Sequence, residues 1–299
     1  MREKRMQNGA LSLASPEVKF EVQNETNDVT DVKLYEVRET NKMVEEFMLL
    51  ANIEVAKRIL QQFPKCSMLR RHPRPTAEMF EPLVRTAANY NIPLDISSSK
   101  TLNDSLEQVE QKYRKTDPYL STLLRILTTR CMTQAVYFSS GEISQDEYLH
   151  YGLATPVYTH FTSPIRRYAD VIVHRQLQAC IGYSALPLDL YDSKRMNSLA
   201  QQINERHKSA QQASRGSIAL HTTMLFRDKT LVEEGRILRV QKNGLVVLIP
   251  KYGLEGIVLL DEKLSPQLDK DAQLVKLSTG KEFRVMSKVK VKVTVDSNP

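Results

Sequence analysis

The sequence predicts an α+β protein in two parts: a largely helical region at residues 1–227 and a small all-β barrel at residues 228–299. Three observations lead there. Apolar residues recur at three- and four-residue spacing through much of residues 41–226. Near Asp228 that period gives way to short Val-rich runs punctuated by Gly. The chain has 299 residues, 41% hydrophobic and 26% charged, enough for one large domain or two ordinary ones.

Residues 10–39 read as extended. LSLASPEVKFEV and VKLYEVRE alternate, and NETNDVTD between them reads as a polar turn. A helix follows from Asn41 to Phe63, carried by Met43, Val44, Phe47, Leu50, Ala51, Val55, Ile59 and Leu60 and stopped by Pro64. RRHPRP reads as a loop, and Thr76 can cap a helix to about Tyr90. Helices near 100–114 and 118–132 come next; the second is apolar on several sides and so reads as buried. Residues 134–160 are mixed. A helix is expected to open at Pro164 and run to about Ile181, and one long helix covers about 192–226. GRILRV, LVVLIP, GIVLL, EFRVM and VKVKVTV then supply five short strands, which suggest a Greek-key barrel of OB type.

The net charge of +7 is spread along the chain and suits nucleic acid, an acidic partner or neither. Cys66, Cys131 and Cys180 stand far apart with no CxxC and no paired His, so reduced, buried thiols are expected rather than disulfides or zinc. No apolar run approaches the roughly 18 residues that span a bilayer. The basic N-terminus lacks the apolar core of a secretory signal, which points to cytosol or nucleus.

One stretch carries chemistry: HYGLATPVYTHFTSPIRRYADVIVH, His150 to His174. Thr162 or Ser163 can cap a helix whose first turn then holds Arg166 and Arg167. Cations sit badly at the positive end of a helix unless an anion lies on top of them. Helix N-termini bind phosphate, and arginine adds forked donors. Asp170 can reach back to hold one guanidinium, and a stripe Arg166–Asp170–His174 would stiffen that arginine. An ordinary salt bridge on a solvated helix face fits the same spacing.

The stretch resembles the signature of the ribonuclease II (RNB) family. The matching residues are His150, Tyr151, Gly152, Leu153, Tyr158, Phe161, Thr162, Ser163, Pro164, Ile165, Arg166, Arg167, Tyr168, Asp170 and His174. LYEVRETNKMVEEFMLLANIEVAKRIL, LLRILTTRCMTQAVYFSSG and KNGLVVLIPKYGLEGIV resemble its eukaryotic branch, which supplies the catalytic 3′→5′ exoribonuclease of the RNA exosome. The resemblance implies the C-terminal portion of an RNB catalytic domain followed by an OB-type RNA-binding barrel. It also implies processive, magnesium-dependent hydrolysis of RNA to nucleoside 5′-monophosphates in RNA processing and decay. The expected partners are single-stranded RNA and exosome core subunits, with no membrane and no DNA. The expected location is nucleus, nucleolus included, and cytoplasm.

By the same resemblance Arg166 is the catalytic phosphate ligand, and Arg167, Tyr168, Ser163, Asp170 and His174 stand with it. Glu45 and Glu46 fall where relatives place acidic residues near the RNA channel, although helix-surface carboxylates read equally well there. Arg71 and His72 in RRHPRP are further channel candidates, as is Arg215 on the long helix. Ser214 stands where the bacterial enzyme has Glu, so the role of that neighbour does not carry over. In the barrel, Lys242, Tyr252, Lys251 and Arg239 are candidate RNA contacts. Tyr252 and Phe283 are its only aromatics, so backbone electrostatics should dominate over stacking.

The family's metal site, aspartates spaced roughly D-x5-D-x-D-D, has no counterpart here. Glu25, Asp28 and Asp31 in NETNDVTD have the wrong spacing and read as a solvated loop. In the family the aspartates lie N-terminal to this start, so Met1 reads as an internal methionine. The barrel likewise reads as lacking its last strand. The chain is then expected to be a fragment of an exoribonuclease, inactive by itself. The rival expectations are a short product that binds RNA or the exosome without cutting, and a protein-only interaction module. Nothing in the sequence supports endonuclease activity.

Overall fold

All but one of the predicted helices form close to where caps and periodicity place them. A computed structural model describes residues 1–13, 18–22, 29–34, 38–227 and 229–295. A short α1 (Arg2–Gln7) leads to a hairpin of β1 (Val18–Val22) and β2 (Val29–Leu34). Glu25 and Asp28 lie outside the described residues, and Asp31, expected in a turn, belongs to β2. Then come α2 (Glu39–Gln62), α3 (Ala77–Ala88), α4 (Ser99–Tyr113) and α5 (Tyr119–Arg130). Thr76 Oγ1 accepts the Met79 N–H at the start of α3, and Ser98 with Thr101 forms a capping box on α4. Downstream, α6 spans Tyr168–Cys180 and α7 spans Ser193–Phe226. Asp192 Oδ1 caps α7 by accepting the N–H groups of Lys194 and Arg195 at 2.9 and 3.2 Å. Among the described residues no helix is long and apolar enough to cross a membrane.

Two strands were not legible as such. Met68–Arg71 forms β3, so the first two residues of the presumed loop RRHPRP are strand, and it pairs antiparallel with β4 (Val136–Ser139). Side-chain amides from two helices, one of them fully buried, hold both outer edges of this pair. Gln176 of α6 accepts from the Met68 N–H at 3.1 Å and donates to the Cys66 carbonyl at 2.7 Å. Asn204 of α7 accepts from the Tyr137 N–H at 2.8 Å and donates to its carbonyl at 2.9 Å. Each satisfies backbone groups that would otherwise be buried unpaired. A core of Ile59, Met68, Leu69, Ile172, Val173 and Met196 fills the space among α2, β3, β4, α6 and α7.

Gly141, just after β4, sits where a Cβ would run into the Lys65 carbonyl and come within 2.7 Å of Ser193 Oγ. Gly141→Ala should therefore destabilise the chain by about 1–3 kcal/mol, the usual cost of overpacking. A thermal unfolding midpoint equal to that of the unsubstituted chain would count against this packing.

The C-terminal region is all β. β5 (Leu231–Gln241), β6 (Gly244–Ile249), β7 (Leu254–Leu259) and β11 (Lys288–Val293) form an antiparallel sheet in the order β11-β5-β6-β7. β8 (Gln267–Asp269), β9 (Leu274–Lys276) and β10 (Glu282–Arg284) form a second sheet, of which β8 and β9 are additional to the five expected strands. The helix α7 ends at Phe226 and β5 opens at Leu231, with Asp228 outside the described residues. The barrel is docked rather than tethered. Leu238, Val246, Leu248, Val285 and Met286 share one apolar core with Phe80, Leu83, Leu106 and Leu123 of α3–α5. Arg236, buried, donates to Asp117 at 2.5 Å across this junction. Cys66, Cys131 and Cys180 are all buried free thiols, and burial pushes the Cys131 thiol up to about 11.

Candidate nucleic-acid interface

The motif segment is laid along β3 by one backbone and one side-chain hydrogen bond. The Arg70 N–H donates to the Tyr158 carbonyl at 2.8 Å, and Thr159 Oγ1 donates to the Met68 carbonyl at 2.7 Å. Asn52, fully buried in α2, donates to Tyr158 Oη at 2.9 Å and accepts from the Phe161 N–H at 2.8 Å. These contacts fix the chain on both sides of residue 160. Past them it does not enter a helix at Pro164 as expected. Residues 164–166 form a turn, and α6 begins at Tyr168 with Arg167 as N-cap.

The reason lies in Asp170, whose side chain is 0% exposed. Its carboxylate accepts the Ser163 N–H at 2.7 Å and takes Arg167 in a fork, Nε and Nη2 each at 2.8 Å. The arginine held by Asp170 is therefore Arg167, three residues back, and the expected stripe Arg166–Asp170–His174 does not form. His174 instead contacts the Phe161 carbonyl through Nε2 at 2.9 Å and stacks on the Phe161 ring at 4.3 Å. Among the described residues Arg166 has no carboxylate partner. It is exposed, beside Ile165 at 97% and Tyr168 at 54% exposure.

Arg166, Arg167 and Tyr168 line a cavity of about 790 Å³ together with Arg70 of β3, Tyr137 of β4, His160 and a stretch of α7 that includes Glu205, Arg206 and His207. The Arg70 guanidinium lies over the Tyr137 ring, 4.7 Å from its centroid. Tyr137 Oη meets His160 Nδ1 at 2.5 Å. Behind them His160, Tyr158, His150 and His72 follow one another edge to face, with centroids 5.5, 5.2 and 5.3 Å apart. Burial, then the positive field of Arg70 and Arg167, drives the His160 imidazole down to about 2. Burial, then His72 and Arg70, takes His150 to about 3. The histidines are thus neutral, and the permanent cations of the cavity are arginines. Glu205 is the one carboxylate among its lining residues. Such a surface binds anions and offers little to a metal ion. Among the described residues no group of three or more His, Cys, Asp or Glu is placed to hold one.

The other candidates are placed differently. Arg71 points away from the cavity, as strand alternation requires, and pairs with Glu147 at 2.6 Å. His72 is buried: Nε2 bonds the Thr133 carbonyl at 2.9 Å and Nδ1 accepts the Gly152 N–H at 3.2 Å, so it serves the fold. Glu46 is buried and held by Arg5 at 2.6 Å, with Glu45 3.6 Å from the same guanidinium. Arg215 is exposed on α7, beyond the part that lines the cavity. In the barrel, Lys242 is exposed in the β5–β6 turn and Arg239 is exposed on β5. Tyr252 is not a free stacking platform. Its ring packs edge-on to Phe226 at 5.3 Å, and its hydroxyl and Lys251 both bond Glu233, at 2.9 and 2.7 Å. Phe283 is partly buried in the barrel core. Sequence reasoning missed Arg70, Tyr137, His160 and Arg206; strand alternation in β3 is the signal that would have separated Arg70 from Arg71.

A helical domain carrying this motif on an arginine-lined cavity, followed by an antiparallel barrel, defines an RNB nuclease-type protein. The chain belongs to the RNB-domain family: the RNB domain matches residues 1–183, and an S1 domain matches residues 231–299. Among curated relatives, exosome complex exonuclease RRP44 of Homo sapiens is 50% identical over 302 residues, covering 100% of this chain and 31% of that protein. The RRP44 homolog A of Arabidopsis thaliana is 49% identical over 301 residues, 99% of this chain and 32% of that protein. The chain thus spans about a third of the curated relatives it matches. Among solved structures, apo RNase R of Mycoplasma genitalium shares the fold with a TM-score of 0.83 at 21% identity, covering 98% of this chain and 45% of that one. Yeast Ssd1, a pseudonuclease, aligns with a TM-score of 0.67 at 27% identity, over 78% of this chain and 29% of that one.

Proposed function

We infer that this chain is the RNA-gripping portion of a hydrolytic 3′→5′ exoribonuclease that works with the RNA exosome in RNA processing and decay. The observation that carries this reading is the cavity in which the exposed, carboxylate-free Arg166 stands beside Arg167, forked on the buried Asp170. Asp170 neutralises Arg167 and thereby holds the turn, leaving the Arg166 fork free for a phosphodiester. In the reaction, that fork would stabilise the charge that builds on the phosphate as water attacks. The relatives named exosome exonucleases, at about half identity, support the reaction and the association. Magnesium, implied by the family, would activate the water in the complete protein. The described residues do not form a site for it, and their part is to bind and orient RNA. Exosome core subunits, single-stranded RNA and residence in nucleus and cytoplasm go with this reading.

A second reading, binding without cutting, is favoured by the cavity's own composition, four arginines against a single carboxylate. One experiment addresses both. The purified chain is titrated against a single-stranded RNA oligonucleotide at rising salt, then assayed for mononucleotide release with added magnesium. Binding should fall with a log–log slope of about −0.7 per phosphate contacted, with no mononucleotide released by the chain alone. Salt-insensitive binding would sink the RNA reading, and processive release abolished by Arg166→Ala would sink the assignment of a purely gripping role.

A further inference from the structure

We propose that Arg70 and Arg206 form a second phosphate subsite in the arginine cavity, taking the phosphodiester next to the one at Arg166. The inference rests on the RNA reading above. Arg70 is half-buried, and no carboxylate partner for it exists among the described residues. A partly desolvated guanidinium without a counter-ion is costly unless something offsets it. Here the Tyr137 face, 4.7 Å away, offsets part of the cost and fixes the guanidinium plane, and Tyr137 is itself fixed by His160 at 2.5 Å. The remaining imbalance is visible in four neighbouring histidines, His72, His150, His160 and His207, each held below its ordinary range by burial with Arg70 contributing. Arg206 reaches the same cavity from α7, likewise with no ion-pair partner among the described residues. One anionic group between strand and helix would satisfy both arginines, while Arg166 on the motif turn serves its neighbour. Tyr137 is on this account a positioning residue.

The test uses the full chain, a fluorescent single-stranded oligouridylate and salt from about 50 to 200 mM, a range over which phosphate contacts dominate affinity. Arg70→Ala and Arg206→Ala should each weaken binding about tenfold and reduce the log–log salt slope, and together they should reduce it by about 0.7, the worth of the one phosphate they share. Arg70→Lys should keep the slope but bind less tightly, because it retains charge and loses the fork. Tyr137→Leu should behave like Arg70→Ala, and Tyr137→Phe, which keeps the ring face but loses the bond to His160, should weaken binding less than Tyr137→Leu does. Arg71→Ala, adjacent but outside the cavity, should change neither slope nor affinity. An unchanged slope for Arg70→Ala, or an equal loss for Arg71→Ala, overturns the subsite. If Arg166→Ala weakens binding while Arg70→Ala does not, the RNA reading stands without the subsite. If the unsubstituted chain binds with no salt dependence, the RNA reading itself has failed.

Discussion

Replacing Asp170 with alanine should lower the thermal unfolding midpoint by on the order of 10 °C, the largest stability loss expected from a polar substitution in the motif. At 0% exposure its carboxylate serves three donors: the Ser163 N–H at 2.7 Å and two Arg167 nitrogens at 2.8 Å. Alanine would leave those donors facing a small void, with one of them an ionised guanidinium. Removing one partner of a buried ion pair costs about 3–5 kcal/mol, and each kcal/mol moves the midpoint by roughly 2–4 °C in domains of 150–250 residues. The Arg167 side chain retains 19% exposure, so water can solvate it in part, and the low end applies. Asp170→Asn keeps an acceptor for one donor and should cost about 1–3 kcal/mol. Circular dichroism melts of the three proteins check this. An Asp170→Ala midpoint within a degree or two of the parent would mean that the fork does not hold the turn.

Arg166→Ala should give the opposite signature. Arg166 is exposed and has no carboxylate partner among the described residues, so its loss should change stability by no more than about 0.5 kcal/mol. Its loss from an RNA complex removes a hydrogen bond to a charged group, worth about 1.5–3 kcal/mol, or roughly 10- to 100-fold in affinity. Arg166→Lys should recover part of the affinity, since a point charge replaces a planar fork. Anisotropy titrations beside melts of the same preparations separate the two substitutions: one loses stability first, the other only its grip. Equal RNA affinity for parent and Arg166→Ala would remove Arg166 from the interface.

The local chemistry of the chain determined much of this architecture by itself. Periodicity and caps placed α2, α3, α4, α5 and α7 close to where they form, because those signals act within a turn or two of helix. The change of pattern near Asp228 announced the barrel, and His150–His174 announced the site. The failures share one cause. A cap was expected at Thr162 or Ser163 because local rules favour it, yet α6 starts at Tyr168, since Asn52, the β3 edge and the Asp170 carboxylate hold residues 158–167 from elsewhere. Arg70 and Arg71 read as loop in RRHPRP because a four-residue strand carries little periodicity and its partner β4 is far along the chain. With β3 unrecognised, Arg71 looked like the channel residue, whereas strand alternation turns Arg70 inward and Arg71 toward Glu147. Tyr252 looked available for stacking until Phe226 was packed against it. The sequence alone thus determined five of the helices, the barrel and the family of the site. Tertiary structure decided which arginines face the cavity, because that depends on strand register and on buried ion pairs whose partners are chosen in space.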